Sequence, residues 1–90
     1  MSGGNKAILI GYLGADPELR YTPKGDPVLR FRVAVTETWR DMSGAKRERT
    51  EWLSCVLWGK RGEALSAHLS RGSRVYIEGK IQTRKWQDRD

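Results

Sequence analysis

Hydrophobic and polar residues alternate along residues 28–36. Leu29, Phe31, Val33 and Val35 fall on one side of this segment, and polar or small residues fall on the other. A period of two, with β-branched residues, predicts a β-strand that buries one face. This segment is the most regular in the chain, and the neighbouring segments can be placed relative to it.

Residues 51–58 alternate in the same way, but both of their faces are informative. Leu53, Cys55 and Leu57 share one compact apolar face that suits a core, so Trp52 and Trp58 are predicted to be exposed on the other face. Six residues of strand separate these two indoles by about 20 Å. If the two strands form a hairpin, two arginines lie on the same surface as the indoles, namely Arg30 and Arg32.

The remaining segments predict one domain over residues 1–90. Residues 1–5 are predicted to be a flexible lead, 6–13 a strand, 14–27 a connection with a short extended piece at 19–22, and 37–50 a polar hairpin loop. Residues 61–69 predict a short helix and 73–86 a long strand. The predicted order β-β-β-α-β is that of an all-β OB-fold Greek-key barrel with its fifth strand missing.

Composition and net charge restrict the classes of function that the protein can have. The formal net charge is +6, and counting along the sequence places +5 of it in residues 46–90, which favours a polyanionic partner. With a single cysteine (Cys55) and a single histidine (His68), we expect no zinc site, no metal or other cofactor and no enzymatic activity. The sequence has no run of 18 apolar residues, so we expect no membrane span.

Four tryptophans are many for so small a core. Nucleobases stack on exposed indoles while arginine and lysine neutralise phosphates, and stacking requires bases with free faces. Trp39 lies in the predicted loop beside Arg40, and Trp86 follows Arg84 and Lys85. This arrangement predicts a surface for single-stranded nucleic acid, with Arg30, Arg32 and Arg40 among its phosphate contacts.

The sequence resembles the bacterial single-stranded DNA-binding protein family. The matching segments cover nearly the whole chain in order, and they are 5–11, 13–21, 38–41, 50–52, 56–60 and 72–79 running into 83–86. The resemblance implies an OB fold that binds and protects single-stranded DNA without sequence preference, in DNA replication, recombination and repair. It also implies a cytoplasmic protein associated with the nucleoid.

The resemblance implies roles for individual residues. The stacking aromatics of the family fall on Trp39, Trp52, Trp58 and Trp86, and its phosphate-contacting residues on Lys60, Arg71, Arg84 and Lys85. The family forms homotetramers, as dimers of dimers that pair through the first strand, which implies an oligomer interface at Lys6, Ile8, Ile10, Leu53 and Tyr76. Leu53 stands where the family often has His, so the subunit contacts there are expected to differ.

The resemblance also bears on the end of the chain. Family members continue past the position of Asp90 into a fifth strand, a linker and an acidic tip that recruits replication and repair proteins. We therefore expect this chain to be a truncated form, and we expect such proteins to bind only through the absent tip.

Two other functions stay open at this point. An OB-fold interaction module could use its exposed aromatic residues as a protein interface, although indoles at stacking distance argue against it. An OB-fold nuclease would need a cluster of acidic or metal-ligating residues, and the sequence has no clear one.

Overall fold

The chain forms a five-stranded antiparallel sheet with one short helix. The computed structural model describes residues 3–83. The elements are β1 (Ala7–Leu13), β2 (Glu18–Tyr21), β3 (Pro27–Arg40), β4 (Lys46–Trp58), α1 (Lys60–Ser66) and β5 (Arg74–Gly79). The sheet order is β2-β3-β1-β5, and β4 pairs with β3. The long strand β3 thus contacts three other strands and organises the sheet.

The core lies beneath the predicted apolar face of β3. Leu29 and Val33 are fully buried, opposite Leu57 and Leu53 of β4 respectively. Leu13 of β1 is also buried and pairs with Val33. The period-two prediction for β3 is therefore confirmed at Leu29 and Val33, and the other two residues of the predicted apolar face, Phe31 and Val35, are half-buried.

Helix α1 packs directly on this core through a glycine. A Cβ atom on the buried Gly62 would lie 2.9 Å from Cβ of Leu29 and 3.0 Å from the carbonyl oxygen of Leu57. These distances are shorter than ordinary van der Waals contact, so a residue without a side chain lets the helix backbone approach the sheet. The approach closes one end of the thin core.

The prediction of a loop across residues 37–50 was wrong in its extent. The β3–β4 ladder continues without a break to the pair Arg40 and Lys46, leaving a turn of five residues, 41–45. Polar cross-strand pairs occupy this distal half, such as the hydroxyls of Thr36 and Thr50, 3.0 Å apart. Because both faces are solvated there, the sequence has no apolar alternation to reveal the strands.

The predicted helix and last strand are also shorter than expected. The helix predicted over 61–69 is Lys60–Ser66, and it ends in a tight turn in which the backbone N–H groups of His68 and Leu69 both donate to the carbonyl of Leu65. Of the strand predicted over 73–86, the structure has Arg74–Gly79; residues 80–83 lie outside any strand, and 84–86 lie outside the described residues. Gly79 pairs with the first residue of β1. The β1–β5 ladder therefore ends at the pair Ala7 and Gly79.

The side chain of Asn5 continues the pairing past the end of β1. Its amide nitrogen donates to the carbonyl of Ile81 at 2.7 Å, and its amide oxygen accepts from the N–H of Ile81 at 3.0 Å. Asn5 therefore imitates one more residue of strand, although the sequence placed it in a flexible lead.

The observed order is β-β-β-β-α-β, with one strand more than the sequence predicted within this range. The added strand is β2, where the sequence predicted only a short extended piece at 19–22. It pairs with the beginning of β3, from Glu18 opposite Arg30 to Tyr21 opposite Pro27. The further strand expected after residue 90 lies outside the described residues.

Removing the centre of the core should destabilise the domain strongly. We expect Leu29→Ala to lower the free energy of unfolding by about 2–5 kcal/mol, since it leaves a cavity between β3, β4 and α1. Urea unfolding followed by circular dichroism measures the loss. The control is Leu65→Ala, because Leu65 is 40% exposed on α1; equal losses in the two variants would contradict this account of the core.

Candidate nucleic-acid interface

One face of the β3–β4 hairpin carries two exposed indoles and two arginines. Residues directly opposite each other in an antiparallel pair share a face, and the register sets Arg32 opposite Ser54 and Val28 opposite Trp58. Trp52 and Trp58 keep 51% and 63% of their surface exposed. We call the face with Arg30, Arg32, Trp52 and Trp58 the open face, and its position agrees with the alternation in the sequence.

An arginine covers part of the indole in the middle of the open face. The guanidinium carbon of Arg32 lies 5.3 Å from the centroid of the Trp52 ring, within the range of a cation–π contact. This contact fixes a positive charge beside an exposed aromatic surface. A ligand that both stacks and carries phosphates would meet the two groups together.

A shallow hollow of about 240 Å³ lies at the α1 end of the open face. Its lining residues are Arg20, Tyr21, Thr22, Val28, Arg30 and Trp58. Tyr21 donates a hydrogen bond from its hydroxyl to the carboxylate of Glu63 on α1, and this bond raises the pKa of Tyr21. The hollow therefore combines aromatic surface with two guanidinium groups.

Sequence reasoning missed Arg20 and Tyr21 as members of this site. Both lie on β2, which the sequence predicted only as a short extended piece. Their basic and aromatic character was visible, but only the pairing of β2 with β3 brings them beside Trp58.

A second hollow, of about 230 Å³, lies near the tip of the hairpin. It is lined by Thr38, Trp39, Arg40 and Lys46. Trp39 is a strand residue opposite Arg47, not a loop residue as predicted, and it is 47% exposed. By the register it projects from the face of the hairpin opposite to Trp52, so the indoles do not all share one face.

The carboxylate of Asp41 accepts several hydrogen bonds at the tip of the hairpin. Asp41 accepts hydrogen bonds from the backbone N–H and hydroxyl of Ser43 at 2.9 and 2.6 Å and from the backbone N–H of Ala45 at 3.1 Å. It also pairs with the guanidinium of Arg47 at 2.8 Å. The Arg40 guanidinium donates to the carbonyl of Gly44 at 3.0 Å, so the turn is cross-linked from both strands.

Comparison with known proteins identifies the family. The model of the single-strand binding protein family matches residues 4–90. The chain belongs to the single-strand binding protein family. This membership agrees with the OB fold and with the resemblance read from the sequence.

Two solved structures of this family are similar to the chain. A deletion mutant of the single-stranded DNA binding protein from Thermus aquaticus superposes with a TM-score of 0.88 at 33% identity, covering 97% of this chain and 42% of that one. The Plasmodium falciparum SSB in complex with ssDNA superposes with a TM-score of 0.89 at 34% identity, covering 100% of this chain and 80% of that one. This chain therefore spans less than half of the Thermus protein.

The other basic residues predicted for this single-strand binding domain lie outside strands β3 and β4. Lys60 is the first residue of α1, and it is exposed. Arg71 is exposed in the turn before β5, where its backbone N–H donates to the carboxylate of Asp16 at 2.8 Å. Three predicted DNA-binding residues lie outside the described residues, namely Arg84, Lys85 and Trp86.

Most residues predicted for the oligomer interface meet on the β1–β5 pair. Ile10 lies opposite Tyr76, and Ile8 lies opposite Glu78, which forms an ion pair with Lys6 at 2.7 Å. Ile8, Ile10 and Tyr76 are each more than half exposed. Leu53 is separate from this group: it lies half-buried on β4, which pairs with β3.

The described part of the chain carries little other chemistry. Across residues 3–83, no three His, Cys, Asp or Glu side chains are grouped so that they could hold a metal ion. Burial raises the pKa of the half-buried Cys55 thiol, which favours the unreactive protonated form. Within the same range, no helix has the length and apolar character needed to cross a membrane.

The hydrogen bonds at the hairpin tip should lower the pKa of the Asp41 carboxyl. The Ser43 hydroxyl, followed by Arg47 and the turn N–H groups, lowers the pKa of Asp41 from 3.8 to about 2. Because the folded-state pKa is depressed, the carboxylate stabilises the fold above about pH 4. That contribution is lost as the pH falls through about 2.

Nuclear magnetic resonance of the Asp41 carboxyl carbon against pH measures this midpoint directly. Ser43→Ala should move the midpoint upward, since it removes the hydroxyl that lowers the pKa most. A wild-type midpoint near 3.8 would show that the tip is not held in this way.

Proposed function

We propose that this chain binds single-stranded DNA without sequence preference, by stacking bases on tryptophan and neutralising phosphates with arginine and lysine. One observation carries the proposal: two exposed indoles, Trp52 and Trp58, share a face with Arg30 and Arg32. Indole surface left in water is unfavourable, and such a patch marks an interaction site. Family membership supports DNA as its ligand.

The chemistry of the open face favours single strands over duplex. Stacking on an indole requires a base whose face is free, and in a duplex the neighbouring pairs cover both faces. Every base has such a face, so stacking does not distinguish sequences. The arginines between the indoles suit phosphates, which also carry no sequence information.

The positions of the indoles indicate that the single-stranded DNA wraps around the β3–β4 hairpin. A path from the hollow at Trp58 to Trp52 follows β4 for about 20 Å. Trp39 lies farther along the hairpin and on its opposite face, so a strand that also contacts Trp39 must cross the hairpin edge. Arg40 and Lys46 line the hollow there and would neutralise the phosphates at that crossing.

The wider role is proposed from family membership and not from the geometry of the site. We infer that the chain protects single-stranded DNA during replication, recombination and repair, as a binding protein without enzymatic activity, in the cytoplasm and on the nucleoid. Lys60, Arg71, Arg84 and Lys85 would add phosphate contacts, and Trp86 a further stacking surface. By the same resemblance, we propose that replication and repair proteins are recruited through an acidic tip.

Loss of one stacking surface should weaken DNA binding more than loss of one charge. We expect Trp52→Ala to reduce the affinity for oligo-dT by about 1–3 kcal/mol, and Lys60→Gln to have a smaller effect because salt screens an exposed phosphate contact. Fluorescence anisotropy of a labelled oligonucleotide measures both. Leu65→Ala is the control, as it removes an exposed apolar side chain on α1.

Binding and cleavage measurements distinguish this function from a protein-interaction module and from a nuclease. A wild-type protein that fails to bind oligo-dT at low salt, or binds duplex equally well, would refute the proposal. An affinity for a protein partner that survives Trp52→Ala and Trp58→Ala would favour an interaction module. Metal-dependent cleavage of the oligonucleotide would favour a nuclease.

The exposed apolar face of β1 and β5 should hold subunits together. We propose a homotetramer, a dimer of dimers, in which Lys6, Ile8, Ile10 and Tyr76 lie at subunit contacts and Leu53 contributes from β4. Ile10→Glu places a charge opposite Tyr76, so we expect a smaller species in sedimentation equilibrium. Ala64→Glu on α1 is the control, and identical masses for both variants and wild type would contradict the interface.

A further inference from the structure

The indole of Trp52 occupies the space that a side chain at position 14 would need. A Cβ atom built on Gly14 would overlap Cζ3 of Trp52 and lie 2.9 Å from Cη2 and 3.2 Å from Cε3. These three atoms lie along one edge of the six-membered ring. Trp52 therefore rests with that edge against the bare backbone of Gly14.

The backbone at this point is fixed on both sides. The N–H of Gly14 donates to the carbonyl of Arg32 at 3.1 Å. The N–H of Leu13 donates to the carbonyl of Ser73 at 2.9 Å, and the carbonyl of Leu13 accepts from Gly72 at 2.8 Å. A side chain at position 14 would have to displace the indole, because these hydrogen bonds and the burial of Leu13 resist a backbone shift.

Arg32 contacts both Gly14 and the Trp52 ring. Its carbonyl holds Gly14 in place, and its guanidinium lies 5.3 Å from the centroid of the Trp52 ring. The indole is thus restrained at its edge by the backbone and over its ring by a cation. It keeps about half of its surface exposed, at 51%, as a stacking surface requires.

We propose that Gly14 is a positioning residue for DNA binding, which sets the orientation of the Trp52 indole by having no side chain. The proposal rests on the proposed function, in which Trp52 stacks on a base. A ring that is already oriented loses less conformational freedom when a base binds. A displaced ring would leave the open face without its central stacking surface.

Substitution of Gly14 by alanine tests only whether a side chain at position 14 displaces the Trp52 ring. Gly14 does not have a positive φ, so its backbone accepts an L-residue, and Gly14→Ala adds only a methyl group. The matched control is Gly79→Ala, since Gly79 also lacks a positive φ and a Cβ there would meet nothing within 4 Å.

The binding experiment is a double-mutant cycle with labelled oligo-dT. We expect Gly14→Ala to weaken binding by about fivefold to tenfold, which is part of the loss that removal of a stacked base contact produces. Gly79→Ala should bind like wild type. In a Trp52→Ala background, Gly14→Ala should have no further effect, since the ring it displaces is gone.

Three outcomes would overturn the proposal. The first is that Gly14→Ala binds DNA like wild type while Trp52→Ala binds more weakly. The second is that Gly14→Ala weakens binding equally in the wild-type and Trp52→Ala backgrounds. The third is that Gly79→Ala weakens binding as much as Gly14→Ala does. Failure of the wild-type protein to bind oligo-dT would instead refute the proposed function, so the two failures are distinguishable.

A second measurement does not depend on DNA. The indole N–H resonance of Trp52, assigned with Trp52→Phe, should shift in Gly14→Ala, while those of Trp39 and Trp58 stay in place. An unchanged Trp52 resonance would contradict the contact. If Gly14→Ala fails to fold, the shorter ring of Trp52→Phe should restore folding in the double variant, and a double variant that remains unfolded would overturn the proposal.

Discussion

The unbroken register between β3 and β4 sets which side chains enter the core and which face solvent. It runs from Val28 opposite Trp58 to Arg40 opposite Lys46. A slip of one residue would turn every side chain of β4 to the other face. Leu53 and Leu57 would then face solvent and the two indoles would enter the core. Burial of Leu29 and Val33 therefore fixes the register, and the register fixes the open face.

This arrangement separates stability from binding within one pair of strands. The face with Leu29 and Val33 packs against β1 and α1 and supplies the apolar burial that stabilises the domain. The open face does not contribute to this burial, so it can expose indoles and arginines that would be unfavourable without a ligand. The distal half of the hairpin has little core of its own, and polar contacts around Asp41 hold its tip.

Restraint of individual side chains completes the site. Trp52 is restrained by Arg32 and by the backbone of Gly14, and Tyr21 is bonded to Glu63 across the gap between β2 and α1. These contacts reduce the freedom that exposed aromatic side chains would otherwise have. Pre-orientation of this kind favours binding, because less entropy is lost when a ligand orders the site.

The alternation of apolar and polar residues is enough to predict which faces of β3 and β4 are buried, because the apolar side of a period-two strand packs away from water. It also indicated the family, through motifs that cover nearly the whole chain. Where apolar alternation is absent, no local pattern predicts a strand. The polar half of the hairpin around Trp39 is recognisable as two strands only from its backbone pairing.

Contacts between distant residues depend on how the strands pack together. Pairing of β2 with β3 brings Arg20 and Tyr21 beside Trp58. Hydrogen bonds from Gly14 to β3 and from Leu13 to the turn before β5 hold the backbone of Gly14 against the Trp52 ring. Such contacts join residues far apart in the chain, so no local pattern records them. The sequence selects the side chains of the site, and the long-range packing of the strands sets their positions.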